Sequence, residues 1–73
     1  MLRAAASAPV HRDQLLAAAG LKPLSQNYTR HVAPLVEKGL LEMTRPDKPR
    51  SRAQRYRITE LGRALLSEQE TRD

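Results

Sequence analysis

Two short alternating segments on either side of a loop rich in proline and arginine constrain this chain more than any other feature. Leu41 and Met43 alternate with Glu42 and Thr44, while Tyr56 and Ile58 alternate with Arg55, Arg57 and Thr59. Period-two alternation of this kind gives each segment one apolar face, as in a strand. Pro46 and Pro49 lie between them. A proline has no N–H for a ladder and a fixed φ, so the connection is predicted to be a stiff loop. Residues 39–59 therefore read as a hairpin. Between residues 45 and 57 it carries Arg45, Lys48, Arg50, Arg52, Arg55 and Arg57 against Asp47 alone. The resulting +5 equals the formal charge of the whole chain, so the remainder is close to neutral. Arg55 and Arg57 fall on the strand face away from Tyr56 and Ile58, within reach of Glu42 or Glu60. Asp47 is expected to fix the loop by accepting from backbone amides.

The residues before the hairpin read as helices. The alanine run in Leu2–Ser7 favours a short helix that Pro9 stops. Val10–Ala19 reads as a second helix, with Leu15, Leu16 and Ala19 on one face and Val10 placed as a hydrophobic staple. Gly20 sits where a helix terminus needs positive φ. After a turn from Leu21 to Leu24, Ser25 is expected to cap a third helix running to Lys38 and ended by Gly39. Tyr28, Val32, Leu35 and Val36 form its apolar face. Pro34 removes the bond to the carbonyl of Arg30 and clashes there, which predicts a kink. Behind the hairpin, Thr59 caps a last helix with Leu61, Leu65 and Leu66 on one side, and the polar tail from Ser67 to Asp73 is expected to fray. The order is helix, helix, turn, helix, strand, loop, strand, helix. It predicts a mainly α, α+β fold of the winged helix-turn-helix type: three to four helices with a small antiparallel wing of two or three strands.

The 73 residues suffice for one domain spanning 1–73. A chain this short buries only about 60% of its unfolded surface, so its core must be efficient. There is no cysteine, which removes disulfides, thiolate zinc sites and cysteine nucleophiles together and suits a reducing, cytoplasmic setting. No apolar run approaches the roughly 20 residues of a membrane span, so no membrane partner is expected. With two tyrosines and neither Phe nor Trp, a base-stacking platform for single strands is not expected. His11 and His31 lack any cysteine or carboxylate at ligand spacing, so they read as a helix-start and a partly buried helix histidine, with no metal site. Tyr28 and Tyr56 read as core residues.

The ordered string Pro34, Leu35, Gly39, Glu42 to Thr44, Pro46 to Pro49, Ser51, Arg52, Gln54 and Tyr56 to Thr59 resembles the winged-helix domain at the C-terminus of Fic-type proteins. A similar domain ends many AlbA/ATPase-type regulators. The resemblance is tight over residues 34–62 and loose before them. It departs at Arg45, where an apolar residue is usual, and across Ser25 to His31. It implies a winged-helix module placed at the end of a longer protein. The string H-P-F-x-x-G-N-G-R that Fic-type AMP transfer requires is absent, as are a glycine-rich phosphate loop and a Ser/His/Asp arrangement, so the chain is not expected to be an enzyme or to hold a cofactor.

These readings converge on double-stranded DNA as the partner. Ser25, Gln26, Asn27, Thr29 and Arg30, in the first turns of the third helix, are side-chain types that read base edges in the major groove. Gln26, Thr29 and Arg30 point away from the apolar face. In the wing, Arg45, Lys48, Arg50 and Arg52 are candidates for the phosphate backbone, with Arg50 and Arg52 flanking Ser51 at the tip. The expected role is transcriptional regulation. The alternative is an interaction module that forms a homodimer or docks on another domain of a longer chain, through exposed Leu2, Leu65 and Leu66.

Overall fold

Gly20 and Gly39 decide where the first two long helices stop. At each, φ is positive (74° and 76°), a conformation that a side chain disfavours. The Gly20 N–H donates to the Ala17 carbonyl and the Leu21 N–H to that of Leu16; the Gly39 N–H donates to Val36 and the Leu40 N–H to Leu35. Both ends are thus complete Schellman motifs, in which the orphan carbonyls of the last turn are satisfied.

In the computed structural model, which describes residues 1–71, a 3₁₀ turn at Leu2–Ala5 precedes helix α1 (Arg12–Ala18). The helix starts two residues later than the apolar pattern suggests. His11 caps it: its Nδ1 accepts from the Asp13 N–H at 3.1 Å, while the Gln14 Oε1 accepts from the His11 N–H at 3.1 Å. This reciprocal capping box satisfies two orphan donors. Val10 is thereby excluded from the helix and forms an isolated antiparallel bridge with Tyr56. It still packs against the core at the staple position.

Helix α2 covers residues 25–37. It comprises Ser25–Asn27, a π-helical turn Tyr28–Val32, and Ala33–Glu37. Ser25 is its first helical residue; the cap is Leu24, which offers no side-chain acceptor. Asn27 supplies the missing tie, its Nδ2 donating to the Lys22 carbonyl at 2.9 Å. The kink expected at Pro34 takes the form of the π turn, where the Ala33 N–H reaches back five residues to the Tyr28 carbonyl. Widening the helix just before the proline removes the demand for the N–H that Pro34 lacks.

Strands β1 (Leu41–Met43) and β2 (Tyr56–Ile58) pair antiparallel, with Leu41 opposite Ile58 and Met43 opposite Tyr56. Tyr56 exchanges both backbone bonds with Val10, at 2.8 and 2.9 Å, so Val10 serves as a one-residue third strand. Leu15, Leu16, Val32, Leu41 and Tyr56 are fully buried, and Leu2, Ala5, Leu40 and Ile58 nearly so. Each such Leu stabilises the fold by about 1.5–3 kcal/mol. Leu2 is therefore core, and does not belong to an exposed docking edge.

Helix α3 (Glu60–Thr71) is capped by Thr59, whose hydroxyl accepts from the Gly62 N–H at 3.0 Å and donates to the Gly39 carbonyl. It runs on through residues expected to fray; Arg72 and Asp73, the end of that tail, lie outside the described residues. Leu61 is 58% exposed, contrary to its expected place on the apolar side. The contact face instead passes through Gly62, Leu65 and Leu66, at i, i+3 and i+4. A 3₁₀ turn packed on α1, α1 packed in turn on α2, a two-stranded wing and a closing helix make up the winged helix-turn-helix that the element order predicts.

The wing loop is a run of turns with a period of three. The Lys48 N–H donates to Arg45, Ser51 to Lys48, and Gln54 to Ser51. Pro46 and Pro49 occupy the second position of the first two turns, where their fixed φ is preorganised. Gln54, only 3% exposed, holds the run to its base. Its Oε1 accepts from the Arg45 N–H at 2.9 Å, and its Nε2 donates to the carbonyls of Arg45 at 2.6 Å and Lys48 at 3.0 Å. The side-chain amide thus replaces a ladder partner for Arg45. The fixing role expected of Asp47 falls to Gln54; among the described residues Asp47 is exposed and makes no such bond.

Two substitutions test this architecture. A Cβ at Gly62 would lie 2.3 Å from the Leu40 carbonyl oxygen and 2.7 Å from Ile58 Cγ1. Gly62→Ala should therefore destabilise by about 1–3 kcal/mol in urea unfolding, although alanine is ordinarily better than glycine in a helix by about 1 kcal/mol. A stabilised variant would contradict the packing. Gln54→Ala should cost about 1–3 kcal/mol through its orphaned partners and speed tryptic cleavage at Arg50 and Arg52; unchanged cleavage would show that Gln54 does not hold the wing.

Candidate nucleic-acid interface

The polar first turns of α2 face outward because its apolar residues are committed to the core. Ser25, Gln26, Thr29 and Arg30 are exposed, while Val32 is buried and Tyr28, Leu35 and Val36 pack partly against the core. Asn27 is half-buried, and its amide is engaged with Lys22. It belongs with the turn that orients the helix more than with the outward-facing set. His31, expected to be partly buried, is exposed, because the π turn brings Val32 to the core.

The six wing cations divide into two groups. Arg57 pairs with Glu42 across the strands, as their opposed register allows. Arg55 donates from Nη1 to the carbonyls of Arg52 at 3.1 Å and Gln54 at 3.0 Å, which stiffens the descent of the loop. Arg45, Lys48, Arg50 and Arg52 are exposed, and among the described residues none of the four joins an ion pair. Exposed side chains on a hydrogen-bonded loop can attract anions without requiring the loop to order.

The fold brings part of the helix set against part of the wing set. Pro49 and Arg50 bound a cleft of about 380 Å³ whose other walls are Ser25, Tyr28 and Thr29 of α2 and Arg12 of α1. Beside it lies a second cleft of about 380 Å³, between His11, Arg12 and Asp13 on one side and residues 49–52 on the other, with Gln54 and Tyr56 at its base. Gln26, Asn27, Arg30, Arg45 and Lys48 line neither cleft.

Arg12 was not legible as part of this region. Its guanidinium carbon stands 5.6 Å from the centroid of the Tyr28 ring, within cation–π range. Tyr28 is itself held by Tyr56: the two hydroxyls share a hydrogen bond at 2.9 Å, and the rings are tilted at 53° with centroids 6.0 Å apart. Burial, and then the bond to Tyr28, push the Tyr56 hydroxyl far above the ordinary tyrosine range, so it stays protonated. Both tyrosines are structural, as expected. Asp13 is the acidic neighbour of Arg12, at 3.9 Å, in an exposed geometry where an ion pair contributes about 0–1 kcal/mol. Among the described residues, no group of His, Asp or Glu is arranged to hold a metal ion. No helix among them is long and apolar enough to cross a membrane.

Elsewhere, Met1, Leu2, Ala18, Leu35, Leu40, Leu65 and Leu66 line an open, mainly apolar cleft of about 680 Å³. It shares no residue with the basic clefts.

Comparison with known proteins agrees with this architecture. No curated protein sequence matches the chain. A solved structure of a Fic family protein from Desulfovibrio desulfuricans G20 matches with a TM-score of 0.70 and 33% identity, covering 81% of this chain. The chain spans only 18% of the length of that protein. Residues 1–59 match the family described as the C-terminal domain of filamentation induced by cAMP protein Fic-like. The match reaches back to residue 1, where the sequence string resembled the family only loosely. The chain belongs to the Fic-like C-terminal domain family.

Proposed function

We propose that this domain is a non-catalytic DNA-binding module, with α2 lying in the major groove and the wing on the adjacent backbone. The observation that carries the reading is that four wing cations, outside any ion pair among the described residues, stand on a loop held by successive turns, beside the exposed polar start of α2. A rigid basic wing releases condensed counterions from DNA without the entropic cost of ordering a loop. Gln26, Thr29 and Arg30 are the side chains placed to read base edges, with Ser25 nearer the wing. Arg45, Lys48, Arg50 and Arg52 serve the phosphates. Regulation of transcription in the cytoplasm fits such a module. Any chemistry of the longer Fic-type relatives would reside outside these residues.

A second reading is favoured by the apolar cleft of about 680 Å³. In it, the half-buried Leu65 and Leu66 contribute to docking on another part of a longer Fic-type chain or on a second copy. Sedimentation distinguishes the two readings: a concentration-dependent dimer that ignores DNA supports docking, whereas a monomer that associates with DNA supports the first.

Non-specific duplex DNA should bind with a dissociation constant of about 10⁻⁴–10⁻⁶ M near physiological salt. Replacing Arg50 and Arg52 together by alanine should flatten the dependence of log affinity on log salt by about two units, one for each lost phosphate contact. An unchanged slope would remove both residues from the interface.

A further inference from the structure

The two basic clefts have Arg12, Pro49 and Arg50 in common. Arg12 stands at the start of α1 and Arg50 at the tip of the wing, 38 positions apart in sequence. The fold places both guanidinium-bearing side chains on one recess that also presents the exposed hydroxyl residues Ser25 and Thr29. Arg12 is positioned in advance by the Tyr28 ring beneath it, and Tyr28 by its bond to buried Tyr56. Pro49 fixes the backbone immediately before Arg50. Two planar cations lining one recess with hydroxyl donors suit a tetrahedral phosphate.

We propose that this recess seats one backbone phosphate diester of duplex DNA, clamped jointly by Arg12 and Arg50 and hydrogen-bonded by Ser25 and Thr29. The proposal rests on the DNA-binding reading and adds α1 to the interface. It also gives Asp13 a role. Its carboxylate, 3.9 Å from the Arg12 Nε, occupies the guanidinium until a phosphate displaces it. Because the pair is exposed, displacement costs little.

Fluorescence anisotropy with a random-sequence 25-bp duplex across a salt series tests the clamp. Arg12→Ala and Arg50→Ala should each lower the log–log slope by less than one unit, because the remaining arginine still meets the phosphate. The double variant should lose about one unit in all, because both residues serve the same phosphate. Asp13→Asn should raise affinity several-fold. A slope unmoved by Arg12→Ala in a folded protein would overturn the proposal while leaving the DNA reading intact, as would a loss of two units in the double variant. If Arg12→Ala fails to fold, Asp13→Asn carries the test, and unchanged affinity then overturns the clamp. Absence of any DNA binding by the unaltered protein would overturn both readings together.

Discussion

Tyr56 is the residue through which the parts of this small domain are joined. Its backbone bridges Val10, its ladder position sets Met43 opposite, and its ring and hydroxyl reach Tyr28 on α2. One side chain thus fixes the wing relative to the helix proposed to enter the groove. In a chain of 73 residues without disulfides, that is an economical way to hold two elements at a set distance. The residue two positions earlier, Gln54, extends the same buried edge and ties the turns of the wing to its base. Relative placement of wing and α2 therefore depends on the alternate buried residues Gln54, Tyr56 and Ile58.

This rigidity has an electrostatic consequence. The cations cluster on an element that already has a defined shape, and among the described residues Arg55 and Arg57 are the wing cations whose side chains are used internally. The other four wing cations stay exposed at a fixed spacing. A flexible tail of equal charge would also attract an acidic polymer, but it would lose more entropy on binding. The apolar cleft at Leu35, Leu65 and Leu66 is built from different residues, so it shares no side chain with the surface proposed for DNA.

Much of the fold was legible in the sequence because it is local. Gly20 and Gly39 announce helix ends through a φ requirement, Thr59 caps from the position next to its helix, and the alternation around the wing sets its register. What escaped depends on partners distant in the chain. Val10 leaves its helix to pair with Tyr56, and Leu61 is displaced because Gly62 packs on Leu40. The substitution of a π turn for a sharp kink at Pro34 reflects how the whole helix is held. Of the candidate site, the exposed residues of α2 and the wing were foreseen, but their junction was not. Gln54 had a usable signal, since the alternation of Tyr56 and Ile58 extends back to it. Arg12 had none, because its place beside Tyr28 arises only when α1 and α2 pack together.

We propose that the α2–wing surface, and not the apolar cleft, meets the partner. Backbone amide NMR spectra of the chain, titrated with a random 20-bp duplex at low salt, address it directly. Shifts should concentrate at residues 25–30 and 48–52 and at Arg12, with Leu35, Leu65 and Leu66 silent. Shifts centred on Leu35, Leu65 and Leu66, or spectra that do not change, would contradict it.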